Sequence, residues 1–204
     1  MKVMIIESSY PEDFYHNRLD GNSVSGLLYT MRIENKLRYV LDFEHFKKAL
    51  EECAEGRFEV LHISCHGGED GIALADNVQP DWNEFCGAFQ DMDYVPPVLV
   101  MSACCGASSG IAQAFARQEK HPKIILGSQK ALTYSQYAAA WSILYHRFQS
   151  GKLNRDTAQL ALKQIVAVVD KSFRYLRWDG EKKKFLHYPC SGKSYTILET
   201  QDNG

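Results

Sequence analysis

Four short apolar runs, at residues 2–6, 60–64, 98–101 and 123–126, are separated by stretches long enough to hold a helix or more. This spacing constrains the fold more than any other feature. Strands joined through helices of ten or more residues run parallel, and runs without polar alternation are buried on both faces. The expected class is therefore α/β, with three layers and a mostly parallel central sheet between helices.

The helices declare themselves by spacing and caps. Asp42 is a fitting N-cap for a helix to about Ala54, with Phe43, Phe46, Leu50 and Cys53 at helical intervals and Gly56 past its end. Further helices are predicted at about 81–90, 110–118, 133–149 and 154–169, with a short strand at 72–74. Residues 173–178 and 184–188 around Asp179-Gly180 read as a terminal hairpin, and 27–33 with 37–41 as a second hairpin turning at Glu34-Asn35-Lys36. Segment 8–26 is polar, turn-rich and too long for a simple connection, which marks it as a functional loop.

A chain of 204 residues suits one domain spanning 1–204. Net charge is −2 and the only basic run is Lys182, Lys183 and Lys184, so no nucleic-acid footprint is expected. No apolar stretch approaches a membrane span, and no basic segment precedes the first apolar run as in a secretory signal. The expectation is a cytoplasmic protein whose six cysteines are free thiols.

Two clusters carry chemistry, and both follow apolar strands: Cys65-His66-Gly67-Gly68 and Ser102-Ala103-Cys104-Cys105-Gly106. Parallel strands bring such ends to one edge of the sheet, where ligands bind. A thiol attacks a carbonyl as thiolate, and a nearby histidine promotes that state. The glycine pair lets backbone amides approach a developing oxyanion, with the Cys104 and Cys105 amides as a second source.

Three alternatives compete. Gly106-Ala107-Ser108-Ser109-Gly110 matches the nucleophile elbow of serine hydrolases, but His146 and His187 lie in no loop after a late parallel strand. Cys65, His66, Cys104 and Cys105 are zinc-ligand types, yet adjacent pairs lack the gap that lets ligands converge. A fold kept only for binding is the third. His62, on an apolar strand, reads as a packed core histidine.

Ile63-Ser64-Cys65-His66-Gly67, then Gly71 and Leu74, then Leu99-Val100-Met101-Ser102-Ala103-Cys104 resemble the CHAT group of caspase-like peptidases (clan CD). The caspase signature places its histidine about 50 residues before the Ala-Cys pair; here positions 66 and 104 are 38 apart, as suits compact members. The resemblance extends over residues 58–167. It implies a caspase-like fold, a cysteine endopeptidase making limited cuts in protein substrates, and no cofactor or metal. His66 becomes the base, Cys104 the nucleophile and Gly67 an oxyanion donor. The strand ending at Ser128 and the loop through Thr133 would wall the substrate pocket. Gln129, Lys130, Thr133, Tyr134 and Ser135 stand where relatives that cut after basic residues often carry an acid, so basic specificity is not implied; Glu69 and Asp70 remain acidic candidates. No third catalytic residue is named. Analogy adds an activating partner protein and a role in bacterial defence or regulated death.

Overall fold

The computed structural model describes residues 1–150 and 153–189. Alternation along each central strand divides the core in two. In β1 (Lys2–Ser8), β3 (Val60–Gly67) and β5 (Val98–Ser102), Met4, Ile6, Leu61, Ile63, Leu99 and Met101 pack on one face against Phe46, Leu50, Phe85 and Phe115. These come from α3 (Phe43–Glu55), α4 (Trp82–Gly87) and α5 (Ser109–Ala116). Val3, Ile5, Val60, Val98 and Val100 face the other way, onto α2 (Asp20–Thr30), α6 (Tyr134–Ser150) and α7 (Arg155–Val168). Period-two side chains buried on both faces require helices on both faces, so the three-layer α/β/α architecture follows.

Among the described residues the sheet has eight strands, seven in the order β2-β1-β3-β5-β6-β7-β8, with β4 (Ile72–Ala73) folded back antiparallel on the end of β3. From β2 (Glu34–Tyr39) to β6 (Ile124–Ser128) every neighbouring pair is parallel. Then β7 (Phe173–Asp179) runs antiparallel and β8 (Lys184–Tyr188) completes the expected hairpin. From β1 the chain moves outward to β2, then returns to lay β3 on the other side of β1. That reversal opens a crevice beyond the carboxyl ends of β1 and β3, the place where open α/β sheets bind ligands.

Asp42 caps α3 as predicted, its carboxylate accepting from the His45 amide at 2.8 Å. The hairpin at 27–41 is corrected. Residues 20–30 form α2, and 34–39 form an edge strand parallel to β1. The buried pair Val24 and Leu28, four apart, is the helical stripe, while Gly21, Asn22 and Gly26 dilute the propensity that would have revealed it. Segment 8–26 is likewise not a loop throughout: it contains α1 (Pro11–Tyr15) and the start of α2. Six-residue β2 lacks an apolar run because it lies at the edge, where Arg38 and Lys36 pair with Glu52 of α3.

The start of α2 is fastened by Glu7 of β1, whose fully buried carboxylate accepts the Gly21 and Asn22 amides at 3.1 and 2.8 Å. Burial outweighs those bonds, and with the nearby Asp20 charge it raises the Glu7 carboxyl from 4.5 to about 7. Between those values the folded chain holds a proton that the unfolded chain releases, so this group favours folding more as pH falls from 8 toward 5. With about 1.4 kcal/mol per tenfold change in proton affinity, the effect is capped at about 3.5 kcal/mol. Urea unfolding should give a higher stability at pH 5.5 than at pH 8, with a smaller difference in Glu7→Gln; an unchanged difference would refute the assignment to Glu7.

Candidate active site

The segment after β1, the end of β3 and the turn after β5 meet at the crevice. The β3 strand continues through His66 and Gly67 because β4 pairs with those two residues, His66 against Ala73 and Gly67 against Ile72. His66 is thus held by sheet pairing and is only half-buried. Its ring stacks on Tyr10, with centroids 4.4 Å apart and planes at 14°. Its Nε2–H donates to Asp13 Oδ2 at 2.7 Å. Asp13 lies on α1, is buried, and takes Arg18 Nε on its other oxygen at 3.2 Å. With Nε2 committed, Nδ1 is the nitrogen left to exchange a proton.

Cys104 stands two residues past β5, half-buried, in a turn fixed from several directions. The Tyr137 hydroxyl donates to the Ala103 carbonyl at 2.7 Å, and the Ala107 amide donates to the Ser128 carbonyl at 2.9 Å. Cys105 takes φ of 60°, a left-handed backbone uncommon outside glycine and concentrated at functional turns. Cys105 is buried, whereas Cys104 lines a cavity of about 100 Å³ together with His66, Cys65, Asp20, Tyr134 and Tyr137. The Cys104 thiol and His66 share this cavity without hydrogen-bonding to each other. A Cβ on Gly67 would fall 2.6 Å from the Cys104 carbonyl oxygen, so only glycine allows the two backbones to approach this closely.

The other thiols differ. Burial raises Cys53 to about 12 and pushes up Cys65, Cys86 and Cys105. Cys190 lies outside the described residues. Among the described residues, no three His, Cys, Asp or Glu side chains group as a metal would require, and no helix is long and apolar enough to cross a membrane.

The sequence-derived residues divide accordingly. His66, Cys104 and Gly67 come together. Asp70 lines a neighbouring cavity of about 380 Å³ that shares Tyr10, His66 and Gly67. Ser128 and Thr133 do not line the cavity beside Cys104. Ser128 is fully buried with its hydroxyl against that of Ser172 at 2.7 Å, and exposed Thr133 spends its hydroxyl on Ser135 and Gln136. The expected loop contributes Leu132 to this cavity, and Tyr134 and Tyr137 of α6 line it beside Leu132. Ser108 N-caps α5 with a buried hydroxyl that has no partner and no histidine bonded to it, which leaves the elbow reading without a base. His62 is packed in the core, fully buried. Sequence reasoning missed Tyr10, Asp13 and Asp20. The one signal was that segment 8–26 was too long for a connection.

No family model and no curated protein matches the sequence. Solved structures do. An Arg specific cysteine proteinase, gingipain R, is similar at a TM-score of 0.56 and 12% identity over 83% of this chain and 43% of its own. Iotapain, a secreted cysteine protease from Bacteroides thetaiotaomicron, gives 0.58 and 11% over 89% and 67%. Caspase-1 from Spodoptera frugiperda gives 0.52 and 17% over 84% and 80%. The chain spans less than half of the gingipain chain. Identities this low carry the fold alone, and that fold is the caspase-like fold of cysteine peptidases.

Proposed function

We propose that the chain is a cysteine endopeptidase of the CHAT type, with Cys104 as nucleophile and His66 as general base and acid. The observation that carries this reading is the cavity at the sheet's switch point, which holds Cys104 beside a histidine fixed by Asp13 and Tyr10. In the forward reaction His66 Nδ1 takes the thiol proton and the Cys104 sulfur bonds to the scissile carbonyl carbon. The oxyanion that develops accepts from the Gly67 and Cys104 amides. His66 then gives its proton to the departing amine as the carbon–nitrogen bond breaks, leaving a thioester. Water, deprotonated by His66, attacks the thioester carbonyl, and collapse of the adduct returns the thiol and releases the carboxylic acid. Asp13 keeps the imidazole in the tautomer that each step needs.

The setting we propose is the cytoplasm, with limited cuts in protein substrates, an activating partner protein, and a role in defence or regulated cell death. The open dyad, with no His66–Cys104 hydrogen bond, also suits a module that binds without cutting, although catalytic contacts often tighten only with substrate. A proteome-derived peptide library separates the two. Wild type should generate new amino termini that Cys104→Ala does not, whereas identical termini with both proteins would remove Cys104 from the reaction.

A further inference from the structure

The cavity beside Cys104 has an acidic floor. Asp20, the first residue of α2, is 5% exposed and lines the cavity from below. Its Oδ2 accepts from Ser102 Oγ at 2.5 Å and from Ser64 Oγ at 3.4 Å. Trp141 Nε1 donates to Ser102 Oγ at 2.7 Å, which leaves the serine's own proton for Asp20. Oδ1 makes no hydrogen bond among the described residues. Among the described residues the one basic group within ion-pair range is His62, whose Nε2 lies 3.8 Å from Oδ2 and is itself buried without a hydrogen-bond partner. Arg18, the cation nearest in sequence, is bound to Asp13 and Glu12 instead.

A carboxylate removed from water is stable only when its charge is matched, and two serine hydroxyls supply no charge. Inside the fold only His62 stands near enough to supply it, at 3.8 Å and without a hydrogen bond among the described residues, so a cation entering through the cavity would complete the match. Leu132, Tyr134 and Tyr137 form walls suited to an aliphatic stem, and the Tyr137 hydroxyl is already committed to the Ala103 carbonyl. The Ser9 and Ser64 hydroxyls add acceptors for a group with several N–H donors. The field is negative as well. Burial first pushes Tyr137 and Tyr145 upward; the Asp20 charge comes next for Tyr145 and follows that of Cys104 for Tyr137, and Asp20 adds to the rise of Glu7.

We propose that this cavity receives the side chain before the scissile bond and that Asp20 selects an arginine or lysine there. The acid thus comes from the start of α2, not from Glu69, Asp70 or the loop after β6. An acidic side chain would meet Asp20 with like charge. An apolar one would seal the carboxylate from water without a partner, the arrangement that discriminates most sharply against a substrate.

The inference rests on the peptidase reading, and matched peptidyl acyloxymethyl ketones test the two separately. The residue next to the electrophile is arginine, lysine, citrulline, leucine or aspartate; citrulline keeps the shape of arginine without its charge. With wild type, arginine and lysine probes should label Cys104 at least about 100-fold faster than citrulline. In Asp20→Asn the arginine-to-citrulline ratio should fall at least about tenfold. Equal rates for arginine and citrulline, or faster labelling by leucine or aspartate, would overturn the role of Asp20 and leave the peptidase reading standing. Failure of every peptidyl probe, with Cys104 no more reactive toward iodoacetamide than Cys53, would overturn both. The wild-type comparison needs no variant to fold.

Discussion

Alanine in place of Cys104 is expected to lower kcat/KM by about 10⁴-fold or more, and alanine at His66 by a similar factor, because each removes a group that forms or breaks bonds. Combining the two should add little, since the thiol and imidazole act as one unit. Cys105→Ala and Ser108→Ala should both keep activity within about threefold, as neither side chain lines the cavity. Ser108→Ala should also hold or raise stability by about 1 kcal/mol, because it deletes a buried hydroxyl without a partner. Initial rates on a substrate drawn from the peptide library, with melting curves as a check on folding, measure all five variants. Loss of activity in Ser108→Ala with retention in Cys104→Ala would move the chemistry to the serine.

The second large effect concerns Asp13, a positioning residue that acts through His66. Its carboxylate accepts the Nε2 proton at 2.7 Å and is steadied by Arg18. Asp13→Asn can present its amide N–H to the ring and favour the wrong tautomer, placing a proton on Nδ1 where the base must be free. Catalysis by a correctly protonated histidine is worth about 10² to 10⁴-fold, so kcat should fall by at least about 10²-fold. KM should change little, because Asp13 does not line the cavity beside Cys104. Asp13→Glu, which restores an acceptor, should recover part of the loss. A fall confined to KM, or a fall that follows lost thermal stability in every variant, would assign Asp13 a structural role only.

How much of this was legible in the sequence follows from the range of the interactions. Strands β1, β3, β5 and β6 are compact apolar runs, and α3 opens at an aspartate cap, so local pattern sufficed. His66 and Cys104 were readable because each comes just after such an apolar run, and the topology that joins their ends is nearly obligatory for parallel strands. The α2–β2 unit was not, since its helix carries several weak helix formers and its strand is a charged edge. Asp13 and Asp20 were hidden for another reason. Their partners lie 53 and 82 residues away, and nothing in segment 8–26 distinguishes them from Glu12 until the fold sets α1 and α2 over the crevice. Leu132, Tyr134 and Tyr137 line the cavity where Ser128 and Thr133 do not, because β6 buries its last side chain and Thr133 is spent on the first turn of α6.

Site-resolved alkylation tests the central claim most directly, because it needs neither a substrate nor an activator. Brief treatment with iodoacetamide at pH 7, quenching and peptide mapping give a rate for each thiol in wild type and in His66→Ala. The dyad predicts that Cys104 reacts faster than Cys53, Cys65, Cys86, Cys105 and Cys190, and that His66→Ala slows Cys104 by about tenfold or more while leaving Cys53 and Cys86 unchanged. Cys104 reacting no faster than buried Cys53, or at the same rate with and without His66, would contradict the assignment of nucleophile and base.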